Sequence, residues 1–178
     1  MSLSIDNPAS PGHHPAAGNE PPQTSHEDHR VLIGDEHLVY RQVFVRDDHP
    51  TGREVLLAAD ARPPENYLLM QFHASGLLEE LNMDERTSLQ APATDRFVVF
   101  RTDRSYRFEL DGRSFEWGTA LISGATLKKL ADVDPATYGV WLEVPGHDDR
   151  PIGDTETVDL SAPGVERFFT GIVKTTEG

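Results

Sequence analysis

The sequence predicts an α+β protein of two tandem modules, each a mixed sheet crossed by one helix, behind a disordered tail. Three observations predict it. One stretch of chain is written twice, and each copy carries strand-period and helix-period patterns in the same order. Residues 1–28, by contrast, hold almost no large apolar side chain.

That first stretch, MSLSIDNPASPGHHPAAGNEPPQTSHED, contains Pro8, Pro11, Pro15, Pro21 and Pro22, and no large apolar residue follows Ile5. It cannot bury enough surface to offset an ordering entropy of roughly 1–2 kcal/mol per residue. His13-His14 and His26-x-x-His29 offer metal-binding atoms, but a loose segment presets no geometry and no supporting hydrogen bonds. The stretch reads as a solvated tether.

The repeat begins beyond it. Thr51–Asp60 lies over Ser123–Asp132 without a gap, and a one-residue adjustment brings Pro64 onto Pro135 and Tyr67 onto Tyr138. The same register carries Leu81 onto Ile152, Leu89 onto Leu160 and Phe97 onto Phe168. A collinear series of this length with one indel indicates duplication. The expected organisation is a tail over 1–28, a first module over 29–103 and a second over 104–178.

Each element follows from local chemistry. Tyr106–Leu110 and Arg113–Trp117 alternate apolar and polar residues about Asp111-Gly112, a hairpin signal. Ser123 suits a helix N-cap, and Leu127, Leu130 and Ala131 then recur as one apolar stripe, with Asp134-Pro135 as the stop. In the first copy Thr51 and Glu54 suit a capping box ahead of Val55, Ala58 and Ala59. A third strand is expected over Tyr67–Phe72, and over Val140, Leu142 and Val144 in the second copy. Short strands at Leu77-Leu78 and Arg150–Ile152 precede closing strands at Phe97–Phe100 and Phe168-Phe169. Hairpin, helix, strand, short strand, strand is the ββαββ order of a β-grasp unit.

LQAPATDRFVV (Leu89–Val99) and LSAPGVERFFT (Leu160–Thr170) are the most visible echo between the copies. Leu160 is expected to enter the core ahead of a turn at Ala162-Pro163-Gly164, where proline fixes φ and glycine is permissive. Ala93 stands where the second copy has Gly164, so the first turn is expected to differ. The motif marks the fold rather than a reaction.

Composition narrows the function classes. With a formal charge of -14, the chain is a poor partner for nucleic acid. It has no cysteine, hence no disulfide, thiol nucleophile or thiolate zinc site. No apolar run is long enough to span a membrane, and no basic-then-apolar leader opens the sequence, so a cytoplasmic location is expected. Asp47-Asp48-His49 and His147-Asp148-Asp149 invite a metal or acid/base reading, yet occupy non-equivalent places in the two copies and read as surface loops. Glu79-Glu80 reads as a solvated charge pair. Nothing resembles a phosphate loop, a zinc helix or a nucleophile elbow. Neither an enzyme nor a bound cofactor or metal is expected.

Two tryptophans remain. Trp117 lies in phase with its strand's apolar face and is expected to face the core. Trp141, opposite in phase to Val140 and Leu142, is the candidate partner contact.

The string Pro151–Thr170, together with Ser123-Gly124 and Phe115-x-Trp117, resembles the bacterial multiubiquitin domain family over both modules. The resemblance implies ubiquitin-like β-grasp domains. It also implies a protein modifier, served by an E1-like activating enzyme, an E2-like carrier and a JAB-type metalloprotease, and joined to an amine of a target protein. Gly178 is then the conjugation residue. A glycine carboxylate carries no Cβ and enters a narrow adenylation pocket. Five residues beyond Val173 reach ~17 Å when extended. One glycine rather than a pair, preceded by Glu177, departs from the expected ending. With no glycine between Leu77 and Asp111, the modules are expected to form a stiff, permanent tandem with one reactive end. The alternative is a non-covalent scaffold whose modules assemble through sheet edges or an exposed aromatic face into oligomers or filaments.

Overall fold

A computed structural model of the chain describes residues 28–89 and 95–173. The expected tail, apart from Asp28, lies outside the described residues, as do Ala93 and Gly178.

Each module is a five-stranded mixed sheet with one helix across it. The first comprises β1 (His29–Gly34), β2 (Tyr40–Val45), α1 (Gly52–Ala58), β3 (Leu68–Phe72), β4 (Leu78–Glu80) and β5 (Arg96–Phe100). The second comprises β6 (Tyr106–Leu110), β7 (Arg113–Trp117), β8 (Leu121–Ser123), α2 (Gly124–Ala131), β9 (Tyr138–Leu142), β10 (Arg150–Ile152), β11 (Thr157–Asp159) and β12 (Glu166–Ile172). The sheet orders are β2-β1-β5-β3-β4 and β10-β9-β12-β6-β7. In each, the first and last strands run parallel side by side at the centre and all other pairs are antiparallel. Two tandem β-grasp units result. The pair β8–β11 lies outside the main sheet and was not expected.

The local signals act as their chemistry suggests. The second hairpin turns through Asp111 and Gly112, both at positive φ, as a two-residue loop between right-twisted strands requires. Thr51 and Glu54 form a full capping box on α1, and Ser123 caps α2 through Thr126 N–H. The residues after these caps, Gly52 and Gly124, sit against backbone. A Cβ on either would lie 3.0 Å from the carbonyl carbon of Asn82 or Gly153. These are equivalent contacts, so the duplication extends to close packing. Helix α2 ends sooner than Pro135 suggested, because Asp132 adopts a left-handed conformation (φ 55°) as its C-cap. Leu160 is buried and Gly164 takes positive φ, as expected of that turn.

The inner faces pack on the helices. Val31, Ile33, Val43, Val45, Leu69 and Phe97 meet Val55, Leu56 and Ala59 in the first module. Phe108, Leu110, Phe115, Val140, Leu142 and Phe168 meet Leu127 and Leu130 in the second.

The outer face of the first sheet is buried as well. Leu68 and Met70 on β3, Leu78 on β4 and Val98 and Phe100 on β5 belong to the second module's core cluster. The Phe100 ring meets Trp117 edge to face at 4.8 Å between centroids, and β4 lies alongside β7. Leu38 joins this seam from the β1–β2 loop, although it must hold φ 53° to do so. The Asp35 carboxylate secures that turn by accepting from His37 N–H and Val39 N–H at 2.9 and 3.0 Å. Lys129 Nζ closes the seam by donating to His37 O at 2.7 Å. The tandem is therefore stiff because its two modules share a core.

Candidate functional site

The second sheet bears the same outer face without that cover. On the first sheet the outward cross-strand pairs are Leu68–Phe100 and Met70–Val98. On the second the corresponding pairs are Gly139–Gly171 and Trp141–Phe169. The glycine pair leaves a floor, and the Trp141 ring lies down on it. A Cβ at Gly139 would stand 2.7 Å from Trp141 Cη2, and one at Gly171 3.2 Å from Cζ3. Phe169 stacks beside Trp141 at 5.7 Å with 12° between the planes. Both rings are half-buried, forming a flat aromatic floor.

Strand phase explains the arrangement. Val140 and Leu142 face the helix, so Trp141 must face away, as the alternation predicted. Ion pairs border the floor: Arg167 with Glu109 at 3.1 Å, and Arg107 with Glu116 at 3.3 Å. Val173, 47% exposed, extends its apolar surface towards the end of the chain, its Cγ2 lying 3.0 Å from where a Cβ on Gly139 would stand.

Strand β12 carries that end. It lies between β6 and β9, and where β6 stops, the Asp111 carboxylate accepts from Thr170 N–H (2.7 Å) and from Thr170 Oγ1 (3.0 Å). Val173 N–H donates to Thr137 O at 2.9 Å. The residues leading to Gly178 thus leave from a root held on both sides.

The remaining candidates resolve into surface chemistry. Asp47, Asp48 and His49 do cluster, with ligand atoms within 4.8 Å. However, the Arg86 guanidinium donates to both Asp47 and His49 O, and His49 bonds the Asp48 carboxylate at 2.9 Å. That bond holds the Asp48 pKa below its ordinary value. An arginine already supplies the cation there. His147, Asp148 and Asp149 are exposed in the β9–β10 loop, and Glu79 pairs with His73 at 3.0 Å. Trp117 faces the core at 0% exposure, but the core it joins belongs to both modules.

Sequence reasoning missed the covered face formed by Leu38, Leu68, Met70, Val98 and Phe100. One signal was available. Leu68-Leu69-Met70 is an unbroken apolar run where a half-exposed strand would alternate, and such runs belong to strands buried on both faces.

Two β-grasp units fused through a shared core, with the central closing strand leading to the chain end, define a tandem ubiquitin-like protein. The multiubiquitin family model matches residues 40–102 and again 106–171, so the chain belongs to the multiubiquitin family. The first match starts at β2 and leaves β1 outside it. A comparison with curated proteins gives no match.

Proposed function

We propose that this protein is a ubiquitin-like modifier, attached through the carboxylate of Gly178 to an amine of a target protein. Membership of the multiubiquitin family is the observation that carries this reading. The rooted exit of β12 supports it, because a donor tail must be presented at a fixed place on a rigid body. In the first step the Gly178 carboxylate attacks the α-phosphorus of ATP on an E1-like enzyme and expels pyrophosphate. A partner thiolate then displaces AMP to give a thioester, which passes to an E2-like carrier. A target amine finally displaces the thiol, loses a proton and forms an isopeptide bond. A JAB-type metalloprotease would hydrolyse that bond. The chain supplies the acyl group and, lacking cysteine, takes each nucleophile from a partner. Such ATP-driven chemistry fits a cytoplasmic setting. Among the described residues, no helix is long and apolar enough to cross a membrane.

The test is incubation with the cognate E1-like and E2-like proteins, ATP and lysate, read by mass spectrometry. Adducts should carry the chain's mass and vanish when Gly178 is deleted. Adducts that survive the deletion refute the reading. One observation also favours the scaffold reading: the bare aromatic floor of the second sheet.

A further inference from the structure

We propose, resting on the modifier reading, that this chain is donated to target amines but does not accept a further copy of itself. Each attachment then delivers one tandem of fixed length.

The choice of cation carries the proposal. Of the 16 basic residues in these 178, 13 are arginine and three are lysine: Lys128, Lys129 and Lys174. Lysine is ordinarily among the commonest residues of a soluble domain. Both side chains supply a surface charge, but in acyl transfer they behave as opposites. A deprotonated lysine amine attacks a thioester carbonyl: the C–N bond forms, the C–S bond breaks, and the amine's proton goes to the departing thiolate. A guanidinium stays charged and offers no such lone pair. Twelve of the 13 arginines are exposed and Arg53 is half-buried. A partner enzyme that meets this surface therefore finds cations that it cannot acylate.

Lysine is kept in the two modules only where an ammonium has a structural task, and both cases lie on α2. Lys128 is 7% exposed, and its Nζ donates to the Asp154 carboxylate at 2.6 Å and to Pro135 O at 3.1 Å. It ties the helix to the turn after β10 and to the loop before β9. A compact ammonium on a thin stem suits such a site better than a planar fork. To act as a nucleophile, Lys128 would have to leave both acceptors. Lys129 is exposed, but its Nζ crosses the seam to donate to His37 O at 2.7 Å. Its side chain lines the cleft between Leu38, Tyr40 and Phe72 of the first module and Val133 of the second. An acyl group held in a partner's active site would have to enter that cleft, between two fused bodies, to reach it.

Lys174 lies outside the described residues, four positions before Gly178. On an attached copy it is within ~14 Å of the isopeptide joint, where the target itself crowds any second transfer. The fused tandem thus takes the place of a chain of single modifiers. Two ubiquitin-like bodies on one shared core arrive in a single transfer.

The test uses the same mixture of cognate E1-like and E2-like proteins, ATP and lysate, with wild type, Arg46→Lys and Arg101→Lys, both at exposed positions. Trypsin cuts after Lys174 and leaves Thr175-Thr176-Glu177-Gly178 as a mark on each lysine that has accepted the chain. With wild type the mark should fall on target lysines alone, in adducts heavier by one chain of 19.8 kDa. Each variant should add a second step of that size, with the mark on its new lysine. A wild-type ladder of chain on chain, through any lysine, would overturn the proposal and leave the modifier reading intact. Variants that add no second step would overturn it as well, because the arginines would then not be what limits growth. No adduct from any of the three would remove the modifier reading, and this proposal with it. Acetylation of the purified chain by an active ester needs no partner enzyme. The new lysine should react ahead of Lys129, and Lys128 only on unfolding. Lys129 reacting as fast as the new lysine would count against the proposal, since the seam would then not shield it.

Discussion

The shared core makes a quantitative prediction at Phe100. Its ring closes the seam against Trp117, and a Cβ on Gly118 would lie 2.6 Å from Phe100 Cβ. Phe100→Ala removes a buried aromatic side chain, which costs about 3–5 kcal/mol; the edge-to-face contact contributes roughly 0.5–1.5 of that. For a body of this size each kcal/mol moves Tm by about 2–4 °C, so a fall of roughly 6–20 °C is expected. Gly118→Ala alone should cost about 1–3 kcal/mol, since the ring is packed on all sides and cannot yield to the methyl group. In the double variant the ring atoms are gone, but the Cβ at position 100 stays 2.6 Å from the new methyl, so the clash is relieved only in part. The combined loss should then exceed that of Phe100→Ala alone and still fall short of the sum. Guanidinium unfolding followed by Trp117 fluorescence and by calorimetry measures all three variants. Wild type should unfold in one transition, because neither module can open without baring the seam. Additive losses, a Phe100→Ala cost below about 1 kcal/mol, or two separated wild-type transitions would refute the shared core.

Two further outcomes are expected. Gly→Ala early in a helix normally stabilises it by about 0.5–1 kcal/mol, but Gly52→Ala and Gly124→Ala should lower the denaturant midpoint, because backbone at Asn82 and Gly153 blocks the methyl group. A raised midpoint would contradict the close approach. Acid should destabilise the fold. Hydrogen bonds from the Thr51 backbone to Glu54, from Arg53 to Glu65 and from the Gly153 backbone to Glu156 hold these carboxyls below the ordinary value of 4.5. The unfolded chain therefore binds more protons in that range. The added stability is complete above the ordinary value and disappears as pH falls through the depressed folded ones. Thermal unfolding across acid pH should show the decline, with a shallower slope for Glu156→Gln; equal slopes would exclude Glu156 as a contributor.

What the sequence made legible was local. The hairpin at Asp111-Gly112, the caps at Thr51 and Ser123 and the outward phase of Trp141 each depend on a few adjacent residues, and the structure bears them out. The register between the copies was legible because duplication preserved even the glycine contacts at positions 52 and 124. Three features were not. Asp132 ends α2 by adopting a conformation that several residue types can take, so the later proline drew attention instead. The strands β8 and β11 span three residues each, too few to show a period. The seam stayed hidden because apolar residues in a β-grasp strand are already accounted for by the module's own helix. Only the failure of Leu68-Leu69-Met70 to alternate hinted at a second partner, and nothing local announced that Leu38 would turn left-handed to reach it.

The buried outer face of the first sheet also has a consequence for synthesis. The amino-terminal module leaves the ribosome first, and its own helix can cover only one side of the sheet. Until β12 is made, Met70, Val98 and Phe100 have no second module to lie against. At roughly 5–20 residues per second, the remaining stretch of about 70 residues takes roughly 4–15 seconds to appear. During each round of translation the nascent chain therefore displays a greasy sheet for several seconds. Neighbouring chains on one polysome, or a holding chaperone, would meet it before its permanent cover exists.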